Sequence, residues 1–183
     1  MKSDADEFKD FLNELGKQSW LGKQRSIWVS YSFHFTDVRN ASQILNMEKI
    51  VSRAKLEKMG GPPVDIASPE VIATTDGEIK DFVRLYFRPR TPTQFHMEGI
   101  RPKAEIWKGC HCPVPVFFLF DSLKILTRDD SSLSEVNLAI FGTTRWRTRR
   151  LNSENLISGR FSMLDGSLMT VAKRLFHIEM PRL

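Results

Sequence analysis

The stretch Phe82–His96, FVRLYFRPRTPTQFH, runs as a buried β-strand over Phe82–Phe87 and then meets Pro89 and Pro92 with arginines around them. Proline fixes φ and removes an N–H donor, so the chain after Phe87 leaves the sheet and is held in an extended, preset turn. Arg88 and Arg90 are thereby displayed on rigid backbone. Guanidinium groups on a preorganised loop bind phosphate in bidentate fashion at little ordering cost, which suits a phosphate or a nucleic-acid strand. A surface turn with solvated arginines accounts for the same residues, and the stretch alone leaves both readings open.

Outward from it, RSIWVSYSFHFTD (Arg25–Asp37) alternates Ile27, Val29, Tyr31, Phe33 and Phe35 against Trp28, Ser30, Ser32 and His34, the period-2 pattern of a strand. Asp37 can cap a following helix whose apolar positions are Val38, Ala41, Ile44 and Leu45. Before this unit, Ser3-Asp4 precede Phe8, Phe11, Leu12, Leu15 and then Gly16, a capped amphipathic helix. Gly60-Gly61-Pro62-Pro63 forms a loop, and Val114–Phe120 reads as a second, almost continuously apolar buried strand. Beyond Ile140 no period of 2 or 3.6 is sustained, although Leu168, Val171, Ala172 and Leu175 could line a short helix.

The chain has 183 residues with 41% hydrophobic and 27% charged, which fits one globular domain and excludes fibrous and disordered classes. No apolar run is long enough to span a membrane, and the acidic N-terminus does not resemble a signal peptide, so a cytoplasmic protein is expected. The formal charge of +5 lies entirely in one segment. Residues 141–183 hold 8 of the 27 basic and 3 of the 22 acidic residues, leaving the rest of the chain balanced at 19 of each. RWRTRR (Arg145–Arg150) can attract nucleic acid electrostatically, but charge alone does not supply a shaped site.

Two further places could carry chemistry. His34 in FHFTD stands where a strand hands over to a helix, beside Thr36 and Asp37. It reads either as part of a nucleotide clamp or as a core histidine next to a helix cap. Cys110, His111 and Cys112 offer soft ligands, and a metal-binding regulatory domain is conceivable on them. Adjacent strand residues point to opposite faces, however, and a tetrahedral site wants two separated ligand pairs. No metal is expected, and the two cysteines fit as small apolar residues entering a strand.

Taken together, FHFTD followed by ASQIL, then DIASPEVI, FVRLYFRPRTPTQFHMEGIRP and CPVPVFFLFDSLKIL, resemble the DarT family of bacterial toxins over roughly Ile27–Ala139. The YFRPRTP stretch is the most specific part. The resemblance implies an α+β fold of the ADP-ribosyltransferase type, a small split β-sheet with flanking helices and NAD in its cleft. It implies transfer of ADP-ribose from NAD, a co-substrate, to a base of single-stranded DNA, within a toxin–antitoxin system whose macrodomain antitoxin removes the mark. An unpaired base fits such chemistry, because the reacting edge must be reachable. By the same resemblance His34, Phe35 and Thr36 meet the nicotinamide end of NAD, Tyr86 and Phe87 lie along the NAD path, and Arg88 and Arg90 meet DNA. The family's upstream arginine falls where this chain has ASPEV, which leaves Arg53 as the substitute. The family's glutamate, in a motif resembling Arg-Asn-Ala-Glu, has no counterpart, and Glu135 and Glu179 stand outside any such motif. That carboxylate stabilises positive charge at the ribose and accepts a proton.

The tail FHIEMPRL lies where the glutamate motif is due. In the frame that joins the third base of each codon to the first two of the next, Ile178-Glu179 encodes Arg or a stop, Glu179-Met180 encodes Asn or Asp, Met180-Pro181 encodes Ala and Pro181-Arg182 allows Glu. Upstream in that frame, the codons before and through Met169-Thr170, which must give Asp, permit His-Ala-Gly-Arg, one further residue, and then Phe-Asp-Asp. The expected organisation is therefore a DarT-like domain, incomplete, over 1–140, and a divergent basic tail over 141–183 created by a frameshift near Phe141. The sheet would then lack a strand and expose unpaired backbone, and the chain would be weakly active or inactive. A non-catalytic NAD- or nucleic-acid-binding remnant is the alternative.

Overall fold

The computed structural model describes residues 5–89, 91–134, 169–172 and 176–177. Among these residues, seven strands alternate with short helices. The strands are β1 (Tyr31–Asp37), β2 (Lys49–Ile50), β3 (Val83–Tyr86), β4 (Pro115–Asp121), β5 (Ser131–Ser134), β6 (Met169–Ala172) and β7 (Phe176–His177). The helices are α1 (Ala5–Gly16), α2 (Gly22–Arg25), α3 (Val38–Met47), α4 (Arg53–Lys58), α5 (Pro69–Thr74), α6 (Gly77–Lys80), α7 (Pro92–Met97) and α8 (Ser122–Leu126). The main sheet is antiparallel in the order β4-β1-β3-β6-β5, and β2 pairs with β7 in a small second sheet.

β1 runs alongside β4 over its full length, from Tyr31 opposite Asp121 to Asp37 opposite Pro115. It meets β3 at a single registered pair, Phe33 with Tyr86. From His34 onward the two central strands part, and that split positions the site described below.

Asp37 ends β1 and caps α3: its Oδ1 accepts from the Arg39 backbone N–H at 3.0 Å and from Arg39 Nε at 2.7 Å. Hydrogen bonding to the Arg39 guanidinium is the main reason the buried Asp37 carboxyl titrates below its ordinary value. Among the described residues, three clusters form the core. Phe8 and Leu15 of α1 pack with Leu21, Val29, Phe87 and Leu126. Val83 and Leu85 of β3 pack with Ile44, Ile50 and Ile125. Met97, Cys110 and Cys112 form the third, against Phe35 and Ile66.

Several expectations need correction. The strand expected over Arg25–Asp37 begins at Tyr31, and Ser26–Ser30 is a 3-10 turn that leaves Ile27 61% exposed. Period-2 spacing over so few residues does not distinguish a strand from a tight helical turn that buries Val29 alone. Val38 and Leu45 of α3 are exposed, and Asn40 is buried in their place beside Ala41 and Ile44. The strand expected over Val114–Phe120 is present as β4, but it is not buried: it lies at an edge of the sheet formed by the described residues, with Leu119 52% exposed. After Phe87 the chain leaves the sheet as expected, but Pro92 starts a helix, α7, where its missing N–H is no loss, and Thr91 Oγ1 caps it by accepting from Gln94 N.

The tail also differs from expectation. Met169–Ala172 is a strand, not a helix, and β6 pairs with both β3 and β5, so β3 presents no unpaired edge there. Leu168, Leu175, Glu135, Glu179 and Arg90 lie outside the described residues, as do Ser3 and Asp4 before α1.

Candidate functional site

Where β1 and β3 part, a cavity of about 430 Å³ opens. His34, Phe35 and Thr36 of β1 line it on one side, and Val83, Arg84 and Tyr86 of β3 on the other. α3 contributes Asn40, Ile44 and Met47, while the loop after Pro62 supplies Val64 to Ser68. His96 and Trp107, stacked at 4.9 Å between ring centroids, close another wall. The volume falls within the roughly 300–1,000 Å³ usual for small-molecule sites, and the mixture of apolar wall with a few polar groups is typical of them.

His34 spans the split. Its Nδ1 lies 3.3 Å from the Arg84 carbonyl oxygen, which can only accept, so Nδ1 carries the proton and Nε2 keeps a lone pair. Burial is the main cause holding the imidazole below its ordinary 6.5, the nearby Arg84 guanidinium adds to it, and the bond to the Arg84 carbonyl opposes. His34 is therefore a neutral acceptor at neutral pH. The linkage has a definite sign: with the folded value lowered, the unfolded chain binds more protons below pH 6.5. Stability should fall as pH drops from 6.5 to the folded value and then level off, and His34→Gln should remove that slope in unfolding titrations. Asp37 contributes its own acid loss only below its ordinary 3.8, a separate window.

Asn40 organises the opposite wall. Its Nδ2 donates to Thr36 Oγ1 at 3.1 Å and to the Val64 carbonyl at 2.8 Å, and its Oδ1 accepts from Val64 N at 3.0 Å. One buried side chain thus fixes the Thr36 hydroxyl and clamps the Gly-Gly-Pro-Pro loop, which Gly60 and Gly61 enter at φ of +100° and +88°. Arg53 holds the same loop from α4: Nη1 and Nη2 donate to Asp65 at 3.0 and 2.6 Å, and Nε donates to Glu57 at 2.7 Å. These carboxylates raise the proton affinity of Arg53 further.

Of the residues the sequence singled out, the structure brings His34, Phe35, Thr36, Tyr86 and Arg53 to one cavity. Phe87 is not with them: it packs in the core against Phe8, Leu15 and Val29. Arg88 is half-buried and outside the cavity lining. Cys110 and Cys112 are buried, and burial pushes the Cys112 thiol up to about 11, so both behave as neutral core groups. Among the described residues, no group of three or more His, Cys, Asp or Glu could hold a metal ion, and no helix is long and apolar enough to cross a membrane. Sequence reasoning missed Asn40 and Arg84. A signal for Arg84 existed: in VRLY, alternation sets Arg84 and Tyr86 apart from the buried Val83 and Leu85.

Comparison with known proteins agrees with this architecture. The structure resembles that of Thermus sp. 2.9 DarT in complex with ADP-ribosylated ssDNA, at a TM-score of 0.56 and 14% identity over 81% of this chain and 77% of that one. It also resembles the same Thermus protein in complex with NAD+, at a TM-score of 0.50 and 15% identity over the same shares. No curated protein matches significantly. At such identities the structural likeness establishes the α+β fold, a small antiparallel sheet flanked by helices. The profile of one family, described as ssDNA thymidine ADP-ribosyltransferase, DarT, matches residues 33–156, which includes the cavity strands and crosses residue 140. With well over half of its length in that match, the chain belongs to the DarT family of single-stranded DNA ADP-ribosyltransferases.

Proposed function

We propose that the cavity binds NAD and that the chemistry this chain derives from is transfer of ADP-ribose from NAD to a thymidine base of single-stranded DNA. The observation that carries the reading is the convergence of His34, Thr36 and Tyr86, from two strands that part, on one cavity within the family match. The donor set fits the co-substrate: a neutral His34 acceptor and a fixed Thr36 hydroxyl suit ribose hydroxyls or a carboxamide, and apolar walls suit the flat rings. The substrate is single-stranded because only an unpaired base presents its edge. DNA would enter past Arg88 and Arg90, and the biological setting would be cytoplasmic, in a toxin–antitoxin pair with a macrodomain antitoxin.

Transfer by this chain is proposed to be weak. Neither the family's upstream arginine nor its Arg-Asn-Ala-Glu motif is present, and Asp65, the one carboxylate lining the cavity among the described residues, is held by Arg53. We attribute the loss to a frameshift near Phe141, with 1–140 as the incomplete transferase domain and 141–183 as the out-of-frame tail. The coding DNA from the codon of Leu138 to beyond that of Leu183 should stay open in the neighbouring frame and spell the glutamate motif. Restoring that frame should raise adduct formation on a thymidine-containing single strand, followed by mass spectrometry. Stop codons in that frame, or steady nicotinamide release by the chain as it stands, would sink the frameshift account. Binding of NAD with no nicotinamide release before or after restoration would favour the second reading, a non-catalytic binding remnant.

A further inference from the structure

We propose that Arg84 is the residue that binds the anionic pyrophosphate of the dinucleotide, a role that rests on the reading of the cavity as an NAD site. Among the described residues, two arginines line that cavity, Arg53 and Arg84, and their surroundings differ. Arg53 is already paired with two carboxylates: its Nε meets Glu57 while both Nη atoms meet Asp65. One cation between two carboxylates leaves a local excess of negative charge, which repels a phosphate. Its part is to hold the loop at Asp65.

Arg84 is half-buried on β3, and among the described residues no carboxylate or hydrogen-bond acceptor meets its guanidinium. A partly desolvated cation without a counter-ion is an unbalanced group, and a bound anion supplies the balance. The planar fork of five N–H donors matches phosphate oxygens in bidentate fashion. The base of the side chain is fixed by β3, which is paired to β6 along its whole length, so little backbone ordering is needed on binding. The guanidinium also acts on the adjacent imidazole, helping to keep His34 neutral. A neutral His34 accepts from uncharged parts of the ligand while Arg84 takes the charge. Within VRLY, Arg84 lines this wall together with Val83 and Tyr86, while Leu85 goes to the core.

Isothermal titrations of the full chain with NAD, ADP-ribose and nicotinamide riboside separate the possibilities. Arg84→Gln should weaken NAD and ADP-ribose by about tenfold or more, as expected for loss of a charge-assisted bidentate contact. Nicotinamide riboside, which has no phosphate, should bind Arg84→Gln as it binds the wild type, and Arg84→Lys should recover part of the NAD affinity. Arg53→Gln should change affinity less than Arg84→Gln. In Arg84→Gln, the His34 imidazole should titrate at a higher pH by NMR. Undiminished NAD binding by Arg84→Gln overturns the assignment, as does an equal loss for nicotinamide riboside, which marks a purely structural role. Loss confined to single-stranded DNA also overturns it, since the partner is then a DNA phosphate. If the folded wild type binds no NAD, the reading of the cavity falls and the assignment falls with it, an outcome distinct from a defect seen only in the variant.

Discussion

Replacing Leu85 with alanine is expected to lower the unfolding free energy by about 3 kcal/mol, within the range of roughly 2–5 kcal/mol for emptied core sites. Leu85 is 0% exposed and packs with Val83, Ile44, Ile50 and Ile125, with Phe118 and Phe120 against the same cluster. It lies on β3, which holds β1 on one side and β6 on the other, so few neighbours can move to fill the void. Urea denaturation monitored by tryptophan fluorescence measures the loss. A cost below about 1 kcal/mol, the level of an average substitution, would mean that β3 is not the packed centre described here.

The second large effect is expected at Asn40. Asn40→Ala leaves the Val64 N–H and carbonyl and the Thr36 hydroxyl without their partner, and each unsatisfied buried group costs about 1–3 kcal/mol unless water reaches it. Relaxation of the exposed loop should limit the total to about 2 kcal/mol of stability. The larger change should be in ligand affinity, because the loop that carries Val64 to Ser68 along the cavity wall loses its clamp. Asn40→Asp separates the contributions: it can still accept from Val64 N but cannot donate to the Val64 carbonyl or to Thr36. Its NAD affinity should fall between those of the wild type and Asn40→Ala. Equal affinity in all three would show that the loop does not shape the site.

Legibility from sequence followed the range of each interaction. The Asp37 cap and the end of the strand after Phe87 depend on residues within a turn of one another, and both were readable. The split between β1 and β3 was implied by family resemblance alone, because register between segments about 50 positions apart leaves no local trace. Asn40 looked like an ordinary polar position on an amphipathic helix, since its partner at Val64 is distant in sequence. Arg84 was hidden by treating Phe82–Phe87 as buried throughout, when strict alternation assigns it to the other face. β6 was the least legible element: MTVA is short, and its pairing with β3 and β5 comes from partners far along the chain. Pro92 was misleading because the same fixed φ that ends a strand also suits the first turn of a helix.

The central claim is that the cavity between the parting strands is an NAD site organised by His34. Calorimetric titration of NAD into the purified full chain and into His34→Ala tests it most directly. The account predicts saturable binding at one site by the wild type, weakened about tenfold or more in the folded variant, the cost of removing a desolvated hydrogen-bonding group. Absence of saturable binding by the folded wild type, or equal affinity in His34→Ala, would contradict it.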